Sequence, residues 1–346
     1  MEEKTIVLSK NKKHQKNKYI SIGLGIFLIV IFVFFTWMSI QYTYQIQITQ
    51  LSNQSHSQMM GYVIKTYHNK VIVIDGGTHE DTQNLIDTIE HLTGKVDAWF
   101  ITHPHKDHAS SIIDVIENTD IQIDQIYVSL NDTNWYEQNE PNRAQEAEDL
   151  RKALQHKRIK EKVTEPKVND IITIDNITCE ILGIKNPEIT TNAINNSSMI
   201  IKISTNKKNI LFLGDTGVES ATKLINTEPQ DKLKADVVQM SHHGQSGAPE
   251  ELYQIIRPEI CLWPTPDWLW TNDSGEGEDS GPWKTKETRS WMEKLKVKQH
   301  VIEKNGNQTI TIWQKNGVIQ NLKTLIWFWI LKERKSIKYE IQYGIF

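Results

Sequence analysis

Residues 102–108 read Thr-His-Pro-His-Lys-Asp-His, which places His103, His105, Asp107 and His108 within six positions. Neutral imidazoles and carboxylates are good ligands for Zn²⁺ and similar divalent ions. His103 and His105, two apart, can point the same way, while Asp107 and His108 can turn toward a neighbouring position. One short segment could serve two adjacent metals in this way. The competing reading is a surface loop that happens to be rich in histidine. An apolar run at 96–101 just before the cluster speaks for a buried strand and against that reading. Two further strand-like runs end in residues of the same chemistry. The run at 209–213 leads into Gly214-Asp215, and the run at 235–240 leads into Ser241-His242-His243-Gly244. Asp215 alone is as readily a helix N-cap as a ligand. Cys179 and Cys261 lie in apolar surroundings and read as two buried thiols, not as a disulfide or a metal site.

The elements that must carry these residues follow from periodicity and turn chemistry. Strands are expected at 61–65 and 71–74, the second ending in the tight turn Asp75-Gly76-Gly77. A helix at 84–92, a strand at 98–101 and a helix at 109–117 come next. After a strand at 126–130 and a charged, solvated helix at 143–162, β-type segments follow at 171–174, 178–184, 198–204 and 209–213. Helices at 219–225, 249–256 and 288–295 then alternate with strands at 235–240 and 259–263. A hairpin of 300–303 and 308–313, turned by Asn305-Gly306, closes the series. The order is α/β, and the residues of interest sit at strand ends, so all could lie along one rim of a sheet.

Residues 19–40 contain no charge and suit a helix crossing a hydrocarbon core about 30 Å thick. Six lysines precede them within residues 1–18, and the exit is bulky and aromatic, unlike a signal-peptide cleavage site. The expected arrangement is a cytoplasmic basic tail (1–18), a single-pass signal anchor (19–40) and a polar linker (41–58). An extracellular domain (59–315) and a tail (316–346) complete it. The net charge of −4 hides the basic tail, so the body is acidic and does not read as a general nucleic-acid-binding surface.

With the motifs in place, the chain resembles the metallo-β-lactamase-fold hydrolases. His103, His105, Asp107 and His108 stand as their HxHxDH signature, and Leu213-Gly214-Asp215 and Ser241-His242-His243-Gly244 resemble their later ligand motifs. The resemblance spans about residues 59–315 and implies an αββα sandwich, preceded here by the membrane helix. It also implies two divalent metal ions, Zn²⁺ first and Mn²⁺ as the alternative. By the resemblance, His103 and His105 would hold one ion and Asp107, His108 and His242 the other, with Asp215 bridging. Asp75 would support the site without binding metal, and His243 would contact phosphate or act as general acid, the two adjacent histidines being interchangeable at this stage. Many relatives place another histidine between the first cluster and the bridging aspartate. Here His156 lies in a charged helix, and Asn195-Asn196-Ser197-Ser198 occupies the expected place, so Asn196 and Ser197 enter as supporting or substrate residues. That segment resembles the hydrolase domain of ComEC-type competence proteins and related extracellular phosphodiesterases.

The implied activity is metal-dependent hydrolysis of a phosphodiester, in nucleic acid or a phosphorylated envelope polymer, with Asp107 and His243 as catalytic candidates. Nucleic acid is disfavoured by the acidic body. A carboxylic ester or lactam hydrolase is the second reading, and a metal-binding sensor without turnover the third. No protein partner is legible. The tryptophan-rich stretch 263–283 could fold over the metal rim or pack on the domain.

Overall fold

The computed structural model describes residues 19–38 and 45–313, which fall into two units. The first contains helix α1 (Tyr19–Met38), 20 residues without a charge. At 1.5 Å per residue it spans about 30 Å, so it is long and apolar enough to cross a membrane. The expected residues 39 and 40, the basic tail 1–18 and the tail 316–346 lie outside the described residues.

The second unit is built on two seven-stranded sheets. The first contains β1 (Gln45–Gln50), β2 (Gly61–Lys65), β3 (Val71–Asp75), β4 (Ala98–Ile101), β5 (Ile126–Val128) and β6 (Val163–Thr164), in that spatial order. β1 to β3 pair antiparallel and β3 to β6 parallel. The second sheet repeats the plan. Antiparallel β7 (Ile171–Ile174), β8 (Ile177–Gly183), β9 (Ile200–Ser204) and β10 (Asn209–Phe212) lead to parallel β11 (Val237–Gln239), β12 (Ile260–Trp263) and β13 (Gln299–Ile302). The final strand, β14 (Gln308–Trp313), returns to the first sheet beside β1.

Side-chain alternation decides what each face buries. In β3, Ile72 and Ile74 join Tyr62, Phe100, Ile201 and Phe212 between the sheets. Val71 and Val73 face the other way, with Trp99, against α2 (Thr82–Leu92), α3 (Lys106–Asn118) and α4 (Ala144–Leu154). Leu211, Val238 and Cys261 of the second sheet likewise meet α5 (Val218–Thr227), α6 (Glu250–Ile256) and α7 (Thr285–Lys294) through Leu224, Leu252 and Met292. The result is the expected αββα sandwich. Cys179 and Cys261 are free and buried, and burial pushes the Cys179 thiol up to about 12.

Three expectations need correction. The segment taken as a linker contains β1, whose Ile46 and Ile48 are 1% exposed, so the sheet begins well before residue 59. The charged helix is shorter than expected. α4 ends at Leu154, and Arg158 beyond it donates to the carbonyls of Val115 and Ile116 in the last turn of α3 and of Ile121 just after it. The expected closing hairpin does not form. β13 and β14 belong to different sheets, and the turn at Glu303–Asn305, with Gly306 at φ +88, carries the chain across the sandwich edge.

Candidate metal centre

The parallel strands place the chemistry, because their carboxyl ends open on one rim. β3 ends in Asp75, β4 runs into Thr102 and His103, β10 into Asp215, and β11 into Ser241–Gly244. His105 sits at the N-cap of α3, and Asp107 and His108 fill its first turn, where the helix dipole favours a carboxylate.

Each buried imbalance can be followed atom by atom. Asp75 accepts the Thr102 amide through Oδ1 (2.7 Å), and through Oδ2 the Thr102 hydroxyl (2.7 Å) and His108 Nδ1 (2.8 Å). His108 therefore carries its proton on Nδ1 and leaves Nε2 bare. His243 does the same by donating Nδ1–H to the Pro264 carbonyl at 2.9 Å. The Thr102 hydroxyl spends its proton on Asp75, so His103 Nδ1 donates to it at 3.1 Å and also leaves Nε2 bare.

Three Nε2 atoms, each on a ring whose Nδ1 is already hydrogen-bonded, thus converge on Asp215. Its Oδ2 is 3.3 Å from His108 Nε2, 3.4 Å from His243 Nε2 and 3.9 Å from His103 Nε2. His108 Nε2 and His243 Nε2 are 3.3 Å apart, and His243 Nε2 is 3.2 Å from Asp107 Oδ2. A tetrahedral ion with bonds of about 2.0–2.1 Å spaces its donors by about 3.3 Å. The donor atoms form two groups, His103 with His105 and Asp215, and Asp107 with His108 and His243. Asp215 Oδ1 and His105 Nε2 are buried without a hydrogen-bond partner among the described residues. The residues fit a pair of divalent cations.

Protons titrate into the same space when no cation is there. Burial works against charge on His243, but Asp215 and Asp107 outweigh it and raise the ring to about 10. His108 is raised in the same way by Asp215 and Asp75 against its burial. Burial opposes charge on Asp215 too, yet His108 and His243 hold it well below the usual carboxylate range.

The adjacent histidines are separated by the backbone. His243 is fully buried and joins Asp107 and His108, the place expected of His242. Its Nδ1 is held by the Pro264 carbonyl and its Nε2 faces Asp107, His108 and Asp215. His242 stands outside the two groups and contacts Asn195 instead. Asn196 does not reach the donors either. Its Oδ1 accepts the amides of Gly217 and Ser220 at the start of α5, and its Nδ2 donates to Thr191 and Glu219. Ser197 Oγ accepts from Asn131. Their neighbour Ser198 is the residue that faces inward, 3.3 Å from His103 Nδ1 and accepting the Asp215 amide at 3.0 Å. His156 is beyond the end of α4, away from the rim.

Other residues at the site were silent in the sequence. Gln58 donates to Asp107 Oδ2 at 3.2 Å from within the supposed linker. Glu140 lies 3.7 Å from His105 Nε2, and its half-burial opposes ionisation less than His105 and the Ile194 amide favour it. A cleft of about 530 Å³ opens over the donors and is lined by His105, Lys106, Glu140, Arg143, Asn195 and Trp268, among others. The tryptophans divide. Trp263 is buried and packs on Trp270, while Trp268 reaches the cleft, its indole N–H held by the His56 carbonyl.

Residues 60–257 match the Metallo-beta-lactamase superfamily. The chain belongs to that superfamily. It is a metal-dependent hydrolase by family, and the paired donor groups are what such an enzyme requires. ComE operon protein 3 of Bacillus subtilis is 28% identical over 101 residues, 29% of this chain and 12% of that protein's length. Among solved structures, the chain is similar to the metallo-beta-lactamase fold protein YhfI from Bacillus subtilis. The identity there is 12% and the TM-score 0.46, over 78% of this chain and 100% of that one. It is also similar to CmlA, a diiron beta-hydroxylase from Streptomyces venezuelae, at 12% identity and TM-score 0.48, over 76% of this chain and 54% of that one.

Proposed function

We propose that this chain is a membrane-anchored, extracytoplasmic phosphodiesterase with a dinuclear metal centre. The observation that carries the reading is the convergence of three imidazole Nε2 atoms on the Asp215 carboxylate. His103, His105 and Asp215 would hold one cation, and Asp107, His108, His243 and Asp215 the other. Bound divalent cations supply charge neutralisation for a phosphoryl group and a water nucleophile active near neutral pH. The mixed nitrogen and oxygen donors suit Zn²⁺, with Mn²⁺ as the alternative.

The protein's own groups do the rest. Asp75 and Pro264 fix the ring tautomers, and Gln58 steadies Asp107. Lys106 and Arg143 bring positive charge to the cleft and would bind the anionic oxygens of a phosphodiester. Anchoring through α1, with the basic tail in the cytoplasm, would put the hydrolase domain outside.

Purified full-length protein is to be assayed with bis-p-nitrophenyl phosphate, p-nitrophenyl phosphorylcholine and nitrocefin. Phosphodiester turnover that is lost in Asp107→Ala and on chelation supports the reading. Turnover of nitrocefin alone would replace it with lactam hydrolysis, and tight metal binding without turnover would favour a sensor.

A further inference from the structure

The two donor groups are unequal. Asp107, His108 and His243 have Asp215 as a fourth donor, whereas His103 and His105 have Asp215 as their third. A tetrahedral ion needs one more donor there. Asn195 stands beside this poorer group. It is 5% exposed, it lines the cleft with His105 and Asp215, and its Oδ1 is buried without a hydrogen-bond partner among the described residues. Leaving a buried amide oxygen unpaired is costly, so its orientation needs a cause.

His242 supplies that cause. Its Nδ1 is 3.3 Å from the Ser246 carbonyl, which can only accept, so the ring proton sits on Nδ1 and Nε2 is an acceptor. Nε2 lies 3.3 Å from Asn195 Nδ2, the nitrogen that also donates to Asn192 Oδ1 at 3.0 Å. Turning the amide over would set its oxygen against the His242 lone pair. The oxygen is therefore held on the other side, unpaired.

We infer that Asn195 is a metal ligand whose amide oxygen completes the His103–His105–Asp215 group, with the neutral His242 ring holding the amide the right way round. This rests on the two-cation reading above. An amide oxygen is a harder donor than imidazole, so the completed group takes Mn²⁺ more readily than an all-histidine site would.

The test is calorimetric titration of metal-stripped, full-length protein in detergent with Mn²⁺ and with Zn²⁺. Wild type is expected to take up two ions in two steps. Asn195→Leu removes the donor and should weaken the weaker step at least about tenfold while sparing the tighter one. Asn195→Asp adds charge and should tighten the weaker step. Two-step uptake with unchanged affinities in both variants overturns the ligand and leaves the two-cation reading standing. No uptake by wild type overturns both. If the leucine variant does not fold, failure of the aspartate variant to tighten the weaker step overturns the ligand by itself.

Discussion

Asp75 never reaches the donor groups, yet two donors depend on it, because its carboxylate sets the proton on His108 and, through Thr102, on His103. Asp75→Asn should therefore cost about 10–100-fold in metal affinity with the fold retained, as read by chelator competition beside a melting curve. Glu303 shows a different residue-scale effect. It is fully buried, Oε2 has no partner among the described residues, and burial raises its carboxyl well above the normal range, against His243 and the Asn53 amide. Because the folded value is raised, the folded state holds the proton more tightly than the unfolded chain. Stability from this group is complete below about 4.5 and falls as pH rises toward the folded value. Glu303→Gln should melt higher than wild type at pH 7 and lose that advantage near pH 4. A difference in midpoint that stays constant with pH would contradict this. The first cluster was legible because His103 to His108 are neighbours in sequence. Thr102, Ser198, Gln58 and Asn195 were not, because their roles exist only through hydrogen bonds to residues far along the chain.

The turn after β11 decides which histidine enters the site. His242 and His243 both adopt left-handed backbone (φ 50 and φ 55), followed by Gly244 at φ +78. Each non-glycine residue there costs about 1–2 kcal/mol. A Cβ on Gly244 would fall 2.5 Å from the Trp263 ring, so this position has room for glycine only. Gly244→Ala should destabilise the fold by about 1–3 kcal/mol and weaken metal binding through His243, in denaturant melts and metal titration together. No periodicity announces such a turn, which is why the two histidines could not be told apart from sequence. At β1 polar composition masked a correct strand periodicity. Its glutamines and threonine read as linker composition, although Ile46 and Ile48 alternate as an inward face should. Asn305-Gly306 carried a hairpin signal, but pairing is a tertiary choice and β14 found β1 instead of β13.

At the scale of the molecule, β1 lies between β14 and β2, so the boundary of the folded unit can be tested by truncation. Starting the chain at residue 45 should give a soluble, metal-binding domain, whereas starting at 59 removes an interior strand and should give aggregated protein. Size-exclusion profiles of the two separate the cases. The αββα plan was legible from the order of apolar runs, since two successive sets of strands and helices each need a covered sheet. The meeting of β1 and β14 has a temporal meaning as well. The hydroxyls of Thr49 and Thr309 stand 2.8 Å apart although 260 positions separate them, so the first strand to be made waits for the last described one. Loop closure over that length is slow to be rewarded. Until β14 is made, the β1 edge of the first sheet therefore stays open. Under the topology proposed above, the sandwich would close outside the membrane, and its metal would be drawn from the ions present there.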